Sequence, residues 1–382
     1  MKKIALIGST GSIGQQVLNV VDLNRDKFEI ISLSANVNYS LLQDQILHYK
    51  PKIATLSDSL SAQKINNLPP ETLFYYGENS MLHAVDESAD LVVVAVTGFA
   101  GLKAVLQAIS QGQTVALANK ESLVCGGELV TKLAKEKGVK ILPIDSEHSA
   151  IWQCLSFDTQ KPFEKLILTA SGGAFRDIPI ENLSSVTKED ALKHPNWNMG
   201  KKITVDCATM VNKAFEVIEA KWLFDADYDK IDVVIHPQSI IHSMVEFCDG
   251  SIMAQLASPD MRLPIALALS YPDRLEKTGD KLNLLGKHLD FKALDTKRYP
   301  CFGLVLESAK RGGVYPCAIS CANEEAVKFF LDGKIKFTEI YDVLSFVLDN
   351  INQQEVTFET LCEVDKQARS LAISRLSTIL GR

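Results

Sequence analysis

Two carboxylates one residue apart follow an apolar run near the middle of the chain. The run Leu142-Pro-Ile-Asp-Ser-Glu-His148 is typical of a strand that ends at Asp145 and Glu147. Because residues i and i+2 of a strand point to the same face, both carboxylates are predicted to aim at one point. Two carboxylates this close repel each other unless a cation or a shared proton lies between them. The pattern predicts oxygen ligands for Mg or Mn rather than Zn, and its alternative is two solvated acids in a loop.

Another predicted strand, earlier in the chain than the first pair of acids, ends in Leu117-Ala-Asn-Lys-Glu-Ser122. Ligands of parallel-sheet enzymes bind at the carboxyl ends of strands. Lys120 is therefore expected to hold a substrate hydroxyl, and Asn119 and Glu121 to border a cofactor. A solvated lysine–glutamate pair at a helix start is the alternative.

Three glycines, at positions 8, 11 and 14, separate an N-terminal apolar strand from a helical pattern that runs through Val21. Small residues allow close approach of a pyrophosphate, and a helix N-terminus offers unpaired N–H groups. The spacing is GxxGxxG rather than GxGxxG, but the order strand, loop, helix predicts dinucleotide binding. The alternative is a tight turn without a ligand.

The end of the second strand favours NADP over NAD. It reads Ser34-Ala-Asn36-Val-Asn38 and has no acid that would repel a 2′-phosphate. Asn36 and Asn38 can donate to that phosphate. No lysine or arginine lies in this stretch, which leaves the phosphate without a cation there.

Two further segments have the composition of phosphate sites. Leu168-Thr-Ala-Ser171-Gly-Gly173 ends a strand in small residues, which suits either a phosphate or a plain glycine turn. A helix predicted to begin at Asp206 or Thr209 carries Asn212, Lys213 and Glu216 opposite its apolar face. Asn212 and Lys213 are predicted to bind a phosphate near the helix N-terminus, and Glu216 to give the cation a third carboxylate. A solvated polar face is the alternative.

The segment His194-Pro-Asn-Trp-Asn-Met-Gly200 lies between irregular polar flanks. It is interpreted either as a lid that excludes water from the substrate or as a loop that docks on the next domain. Two histidines further on, His236 and His242, lie in an apolar context and are predicted to be hydrogen-bonded core residues.

The elements that must position these residues follow from the hydrophobic pattern. Apolar runs alternate with helical patterns through residue 145, which predicts a doubly wound, Rossmann-like α/β domain over residues 1–145. Residues 146–270 predict a central α+β catalytic domain whose lid lies near 194–200, with a hairpin at Cys248-Asp-Gly250. Residues 271–297 are interpreted as a linker, and 298–382 as a C-terminal helical bundle.

Composition narrows the function classes. The 382 residues carry a net charge of −7, which argues against a general nucleic-acid binder. No apolar run reaches the length that spans a membrane. The eight cysteines are scattered without a CxxC pair, and with no leader recognised they predict a cytoplasmic location.

Seven segments together resemble one family, and they occur in its order: GSTGSIG at Gly8–Gly14, ANKES at Ala118–Ser122, DSEH at Asp145–His148, SGGAFR at Ser171–Arg176, HPNWNMG at His194–Gly200, DCATMVNKAFE at Asp206–Glu216 and HPQSIIHSMV at His236–Val245. On these segments the chain resembles the 1-deoxy-D-xylulose 5-phosphate reductoisomerases along nearly its whole length. The resemblance implies conversion of that sugar phosphate to 2-C-methyl-D-erythritol 4-phosphate in non-mevalonate isoprenoid synthesis. It further implies NADPH as hydride donor, Mg²⁺ or Mn²⁺, and a homodimer.

The resemblance also assigns roles to residues. The metal ligands are Asp145, Glu147 and Glu216. The residues expected to act in catalysis are Lys120, Asp145, Glu147 and His194. The substrate contacts are Lys120, Ser146, Glu147, Ser171, His194, Trp197, Cys207, Asn212, Lys213 and Glu216, and the lid is centred on Trp197 and Met199. The cofactor contacts are Thr10, Gly11, Ser12, Ile13, Asn119, Glu121 and Gly200.

Two positions depart from the family pattern. Cys207 stands where the family usually has a serine that contacts phosphate, and a thiol is a weak donor. Asn36-Val-Asn38 stands where the family often has Gly-Lys-Asn. Two rival functions remain open: a metal-free NADP-dependent dehydrogenase, and a redox-sensing protein that binds NADPH without chemistry.

Overall fold

The computed structural model of the protein describes residues 1–193, 195–197, 199–276 and 278–381. They form two compact units. The first unit comprises residues 1–122, 130–149 and 260–280, and the second comprises residues 123–129, 150–259 and the chain from 281 onward. None of the helices in the described part of the chain is long and apolar enough to cross a bilayer.

The secondary structure alternates regularly at first and becomes helical toward the end. The strands are β1 (Lys2–Ile7), β2 (Phe28–Ala35), β3 (Ile53–Leu56), β4 (Leu73–Tyr76), β5 (Leu91–Val94), β6 (Thr114–Leu117), β7 (Ile141–Pro143), β8 (Lys165–Ala170), β9 (Ile231–Ile235), β10 (Ile241–Glu246), β11 (Ile252–Leu256) and β12 (Lys292–Ala293). The helices are α1 (Ser12–Leu23), α2 (Tyr39–Tyr49), α3 (Ser59–Ala62), α4 (Gly101–Ser110), α5 (Glu121–Lys137), α6 (Ser146–Cys154), α7 (Lys188–Ala191), α8 (Lys201–Thr209), α9 (Val211–Phe224), α10 (Arg262–Ser270), α11 (Pro300–Arg311), α12 (Tyr315–Leu331), α13 (Glu339–Asn350) and α14 (Phe358–Leu380). Three short 3₁₀ helices cover Ser80–Ala84, Ile180–Ser185 and Tyr228–Lys230.

The first unit is built on a seven-stranded sheet in the order β4-β3-β2-β1-β5-β6-β7. All neighbouring strands are parallel. The strands β1, β3, β5 and β6 are almost entirely buried, as expected for apolar runs covered by helices on both faces. The strand order reverses at β1 and β5, the place where doubly wound sheets bind ligands. The predicted Rossmann-like fold is confirmed.

The second unit contains a mixed five-stranded sheet in the order β11-β10-β8-β9-β12. Strands β8 and β9 are parallel, whereas β10 pairs antiparallel with both β8 and β11. The predicted hairpin at Cys248-Asp-Gly250 joins β10 to β11, and Gly250 adopts φ 79° in its turn. A positive φ favours glycine because it carries no Cβ.

The last four helices pack on one another, with α12 against α11, α13 and α14. The apolar residues of the final helix at helical spacing are buried at Leu361, Val364, Ala368, Leu376 and Ile379, and Leu371 of the same series is half-buried. Arg369 ties α14 to α12 through ion pairs of 2.6 Å with Glu324 and 2.8 Å with Glu325. This part of the chain is helical, as its periodicity indicates.

The predicted strand over residues 142–148 is wrong beyond Pro143. Helix α6 begins at Ser146, and the Ser149 N–H donates to the Asp145 carbonyl at 2.9 Å. Asp145 is one of the residues that favour helix N-termini, where a carboxylate accepts from the first backbone N–H groups. Here its carboxylate accepts from Ser146 N at 3.1 Å. Residues Asp145, Ser146 and Glu147 therefore start a helix instead of continuing the strand.

Two segments differ from the expected division of the chain. Residues 271–297 were expected to be a linker, yet β12 within them pairs with β9. A two-residue strand is too short to leave a periodic signal. Helix α10 lies inside the expected central domain but packs against α1 and β7 of the first unit. Its residues 264–269 are all buried, so the helix needs apolar neighbours on more than one side.

Candidate active site

The glycine loop of the first unit is crowded at two of its three glycines. Gly8 adopts φ 95°, and a Cβ there would lie 2.8 Å from the Ala95 carbonyl carbon. A Cβ on Gly14 would lie 2.1 Å from the Gly8 carbonyl oxygen. At Gly11 the nearest atom would be 3.5 Å away, an ordinary contact. The first and third glycines thus allow the chain to turn tightly from β1 into α1.

The start of α1 brings together four predicted cofactor residues, Thr10, Gly11, Ser12 and Ile13. They are exposed or half-buried, and Gly11 is the N-cap of α1. Since glycine has no side chain to accept from the first N–H groups of the helix, those groups can serve an anion. The loop fits the pyrophosphate of a dinucleotide.

A buried pair of polar residues holds this loop in place. Ser9 donates its hydroxyl to Gln45 Oε1 at 2.7 Å, and Gln45 Nε2 donates to the Ser9 carbonyl at 3.1 Å. Both N–H groups of Gly8 and Ser9 donate to the Ser34 carbonyl at the end of β2. Sequence reasoning missed Gln45, because no local pattern shows that α2 packs beside the glycine loop.

Several hydrogen bonds at the end of β6 are made by the side chain of Asn119. Its Nδ2 donates to the Val96 carbonyl at 3.1 Å and to Glu121 Oε2 at 3.0 Å, while Oδ1 accepts from Ser122 N at 3.0 Å. Asn119 and Glu121 are both buried. These two predicted cofactor residues therefore shape the strand end and fix its backbone.

Lys120 is buried and forms an ion pair with Asp145. Lys120 Nζ lies 2.9 Å from Asp145 Oδ2, and the two side chains are 9% and 15% exposed. The alternative of a solvated lysine–glutamate pair is wrong for Lys120. Burial by itself raises the pKa of Asp145, but Lys120 and the neighbouring His148 outweigh it and hold that pKa well below its usual range.

The two predicted metal ligands of the first unit converge, although by a helix start and not by strand alternation. Carboxylate oxygens of Asp145 and Glu147 lie within 4.8 Å of each other. The Ser146 hydroxyl donates to Glu147 Oε2 at 2.5 Å. Oxygen donors at this separation suit a hard divalent cation. The pair is half-buried, so the acids are not simply solvated.

His148 is a residue of this site that the sequence analysis did not single out. It is fully buried, and its Nδ1 lies 3.5 Å from Asp145 Oδ2. Three residues after Asp145 at a helix start, the ring faces the carboxylate. The spacing was visible in the sequence, but only a helix, not a strand, brings these two positions together.

In the second unit the glycine turn after β8 packs on α8. Gly172 and Gly173 adopt φ 85° and 69°, and a Cβ on Gly173 would lie 2.4 Å from the Cys207 carbonyl oxygen. Ser171 Oγ accepts from Gly173 N at 3.2 Å. Arg176 donates to the Ser171 carbonyl at 2.7 Å. Ser171 and Cys207, both half-buried, therefore belong to adjoining segments.

The helix predicted to start at Asp206 or Thr209 is in fact two helices. Helix α8 ends at Thr209, Met210 adopts φ 62°, and α9 begins at Val211. Asp206 is consequently an interior residue of α8. It pairs with Lys202 at 2.9 Å and accepts from Asn323 Nδ2 at 2.8 Å. The break escapes sequence reading because methionine rarely adopts a positive φ.

Helix α9 carries its polar residues into the interior. Lys213 Nζ lies 2.5 Å from Glu216 Oε2, and their side chains are only 5% and 1% exposed. Asn212 Nδ2 donates to Glu216 Oε1 at 2.6 Å. The alternative of a solvated polar face is wrong, because these charged side chains are buried. Charges are buried this completely only when they are paired or bind a ligand.

The segment around Trp197 docks on the turn between β9 and β10. Asn196 Nδ2 donates to the Pro237 carbonyl at 2.7 Å and to Ser239 Oγ at 2.8 Å. The ring centroids of Trp197 and His242 are 6.0 Å apart. Met199 is half-buried and Gly200 exposed, whereas the predicted catalytic residue His194 lies outside the described residues. A lid function for this segment stays a prediction.

The two histidines assigned to the core are buried. His236 is fully buried, and its Nε2 accepts from the N–H groups of Ile240 and Ile241, both at 3.2 Å. Its Nδ1 lies 2.9 Å from the Asp290 carbonyl. His242 is buried on β10. The prediction of a hydrogen-bonded core histidine is confirmed for His236.

Comparison with known proteins decides the family. Three family models match in succession: 1-deoxy-D-xylulose 5-phosphate reductoisomerase over residues 4–127, its C-terminal domain over 141–224, and a DXP reductoisomerase C-terminal domain over 256–371. The reductoisomerase of Pelotomaculum thermopropionicum is 47% identical over 98% of this chain and 98% of its own. That of Halalkalibacterium halodurans is 47% identical over 98% of this chain and 99% of its own. The chain belongs to the 1-deoxy-D-xylulose 5-phosphate reductoisomerase family.

Solved structures of reductoisomerases share the fold. A DOX-P reductoisomerase in complex with NADPH, fosmidomycin and magnesium matches with a TM-score of 0.94 and 38% identity, over 99% of both chains. The Zymomonas mobilis reductoisomerase in complex with NADPH matches with a TM-score of 0.90 and 39% identity, over 98% of this chain and 99% of the other. The resemblance seen in the sequence motifs is thereby confirmed.

Proposed function

We propose that this reductoisomerase family member converts 1-deoxy-D-xylulose 5-phosphate to 2-C-methyl-D-erythritol 4-phosphate with NADPH and Mg²⁺ or Mn²⁺, in non-mevalonate isoprenoid precursor biosynthesis. The observation that carries the proposal is the match along 98% of the chain to relatives named for this activity. The buried ionic groups of both units support it, since they suit a charged substrate and a cation.

The cation is assigned to Asp145 and Glu147 of the first unit and to Glu216 of the second. Carboxylate oxygens are the ligands that Mg²⁺ and Mn²⁺ prefer, and no cysteine belongs to the set. When bound, the cation polarises the substrate ketone and its neighbouring hydroxyl. A solved relative in complex with magnesium supports the use of a divalent cation, and the three carboxylates are the residues proposed to bind it.

The chain's own residues bind and orient the sugar phosphate. Lys120 is assigned to a substrate hydroxyl, because Asp145 already holds its ammonium group at a strand end. Asn212 and Lys213, with Ser171 and Ser146, are assigned to the phosphate and neighbouring oxygens. A grip on the phosphate, remote from the reacting carbons, supplies binding energy that fixes the reacting geometry.

Three further substrate contacts are part of the proposal: His194, Trp197 and Cys207. Trp197 is assigned to a lid that excludes water from the reacting fragments. At Cys207 the weakly donating thiol replaces the hydroxyl common in the family. Since Cys207 lies on α8, whose backbone adjoins the Ser171 turn, a backbone N–H can take over the missing donor role.

NADPH is assigned to the glycine loop, with Thr10, Gly11, Ser12 and Ile13 around the pyrophosphate. Asn36 and Asn38 are assigned to the ribose end, and Asn119, Glu121 and Gly200 to the remaining cofactor contacts. The crowding at Gly8 and Gly14 supports this assignment, because a side chain at either position would displace the loop.

A homodimer and a cytoplasmic location belong to the same proposal. The edge strand β11 exposes Ile252 and Met253, at 53% and 48%, which suits a partner surface of a second copy. None of the eight cysteines, all within the described residues, forms a disulfide. Sedimentation of the full chain at equilibrium is expected to give twice the monomer mass, and a monomer mass would contradict the dimer.

The activity is tested by following the absorbance of reduced nicotinamide with 1-deoxy-D-xylulose 5-phosphate present. We expect NADPH consumption that requires Mg²⁺ and stops in excess chelator. Glu147→Gln is expected to abolish turnover while leaving NADPH binding intact, and Glu136→Gln, an exposed acid on α5, serves as the matched control. Full activity in chelator would instead support a metal-free dehydrogenase, and NADPH binding without turnover would support a redox sensor.

A further inference from the structure

The β2–α2 turn, residues 36–38, leaves the cofactor's 2′-phosphate without a cation. It follows the strand end that faces the adenosine ribose in dinucleotide folds. The turn is exposed, and its central residue, Val37, is 58% exposed and uncharged. A phosphate that carries close to two negative charges is recognised most strongly by a lysine or arginine nearby. A cation that recognises this phosphate therefore lies on another segment of the chain.

The β3–α3 loop lies directly beside this turn. Strand β3 is parallel to β2, with Ala35 opposite Leu56. Beyond the strands, Ser57 N donates to the Ala35 carbonyl at 3.1 Å and Asp58 N donates to the Asn36 carbonyl at 2.9 Å. Two consecutive hydrogen bonds thus hold the chain after β3 against the chain that carries Asn36.

Lys64, two residues after the end of α3, is positioned over the start of α2. Its Nζ lies 5.1 Å from the ring centroid of Tyr39, the first residue of α2 and the residue after Asn38. The Asn66 N–H donates to Gln43 Oε1 of α2 at 3.1 Å, which ties the same segment to the helix. Lys64 is exposed, so its ammonium group can meet a ligand that binds from solvent.

Asp58, the acid of the β3–α3 loop, is already engaged as a helix cap. The Asp58 carboxylate accepts from Ser61 N at 2.7 Å and so serves as the N-cap of α3. A capping carboxylate is directed at backbone N–H groups. It leaves the ammonium of Lys64 able to interact with a second anion.

We propose that Lys64 is the residue that recognises the 2′-phosphate and makes this chain prefer NADPH over NADH. The inference rests on the proposed NADPH binding and adds to it a specificity-determining residue. The cation is supplied by the segment that follows α3, and the Tyr39 ring holds it next to the residue that ends the Asn36–Asn38 turn. Asn36 and Asn38 then contribute hydrogen bonds to the ribose end without the charge.

The test measures equilibrium binding of NADPH and NADH to the full chain through nicotinamide fluorescence, with no substrate present. Lys64→Gln is expected to weaken NADPH about tenfold and leave NADH unchanged. Lys64→Arg should retain the preference. The matched control is Lys27→Gln, an exposed lysine just before β2 at the opposite end of the same strand, and it should change neither affinity.

A second variant guards against an indirect effect on folding. Val37→Lys, which places a cation on the turn itself, should restore NADPH affinity to the Lys64→Gln protein. Titration with adenosine 2′,5′-bisphosphate should show the same loss and recovery. If the natural chain prefers NADPH and Lys64→Gln keeps that preference, the inference is overturned while the proposed function stands. If the natural chain binds both cofactors equally, the proposed cofactor preference is itself overturned.

Discussion

In the first unit the ionic groups of the candidate site lie at strand ends, whereas in the second they lie on a helix buried along most of its length. Lys120 and Asp145 follow β6 and β7, and each keeps some exposure. Lys213 and Glu216 lie one turn apart on α9 and keep almost none. The first arrangement places its charges at the carboxyl ends of the strands, and the second places a complete ion pair in the interior.

The difference lies in what each arrangement costs the fold. The carboxyl ends of the strands leave side chains near solvent, so hydration offsets part of the free-energy cost of a charge there. An interior helix loses that hydration, and a charge is tolerated only with a close partner. We therefore expect substitutions in the two regions to affect catalysis alike but stability differently.

The largest expected effect is on turnover, and it tests whether both regions serve one reaction. Glu216→Gln removes a proposed metal ligand in the second unit and should lower kcat by about 10³-fold or more, since metal polarisation of the substrate contributes several kcal/mol. Steady-state kinetics at saturating Mg²⁺ measures it. Glu181→Gln, an exposed acid of the same unit, is the control. A kcat within tenfold of the natural chain's would remove Glu216 from the site.

The next effect compares the two ion pairs directly. Lys213→Met leaves Glu216 charged in the interior and should lower the free energy of unfolding by about 3–5 kcal/mol. Lys120→Met leaves the partly exposed Asp145 and should cost only about 1–3 kcal/mol. Urea unfolding measures both, with the exposed Lys201→Met as the control. Equal losses would show that the two regions do not differ in the way the exposures indicate.

A smaller effect concerns the glycine loop of the first unit. Gly14→Ala places a Cβ where the Gly8 carbonyl lies. Overpacking of this kind should lower the free energy of unfolding by about 1–3 kcal/mol, and it should also weaken NADPH binding. Gly11→Ala meets only an ordinary contact and should change the stability little. Thermal unfolding and NADPH titration of the two variants distinguish them. Comparable losses at Gly11 and Gly14 would argue against a steric role for Gly14.

The smallest effect is expected at an exposed ion pair of the second unit. Lys165 Nζ lies 2.7 Å from Asp232 Oδ2 across β8 and β9, with side chains 38% and 50% exposed. Because solvent and salt screen such pairs, Lys165→Gln should leave the thermal unfolding midpoint unchanged. A clear fall in that midpoint would show that short distance, rather than burial, sets the value of an ion pair here.

Residues whose placement depends on local order could be predicted. The glycine loop, the Lys120 strand end and the apolar stripe of α14 follow from patterns only a few residues long. The Asp145–Glu147 pair was predicted to converge, but for the wrong reason, because the helix-starting tendency of Asp145 overrides strand alternation. His148 was missed for the same reason.

Sequence alone thus determined which residue types follow each strand and which family the chain resembles, because strand ends and short motifs are read from neighbouring residues. Only the tertiary structure decided that the polar face of α9 is buried, that Met210 divides α8 from α9, and that Lys64 lies over the Tyr39 ring at the start of α2. The burial of α9 and the position of Lys64 depend on contacts between segments distant in sequence. Burial and the partners of a charge are properties of packing, and packing has no short-range pattern in the chain.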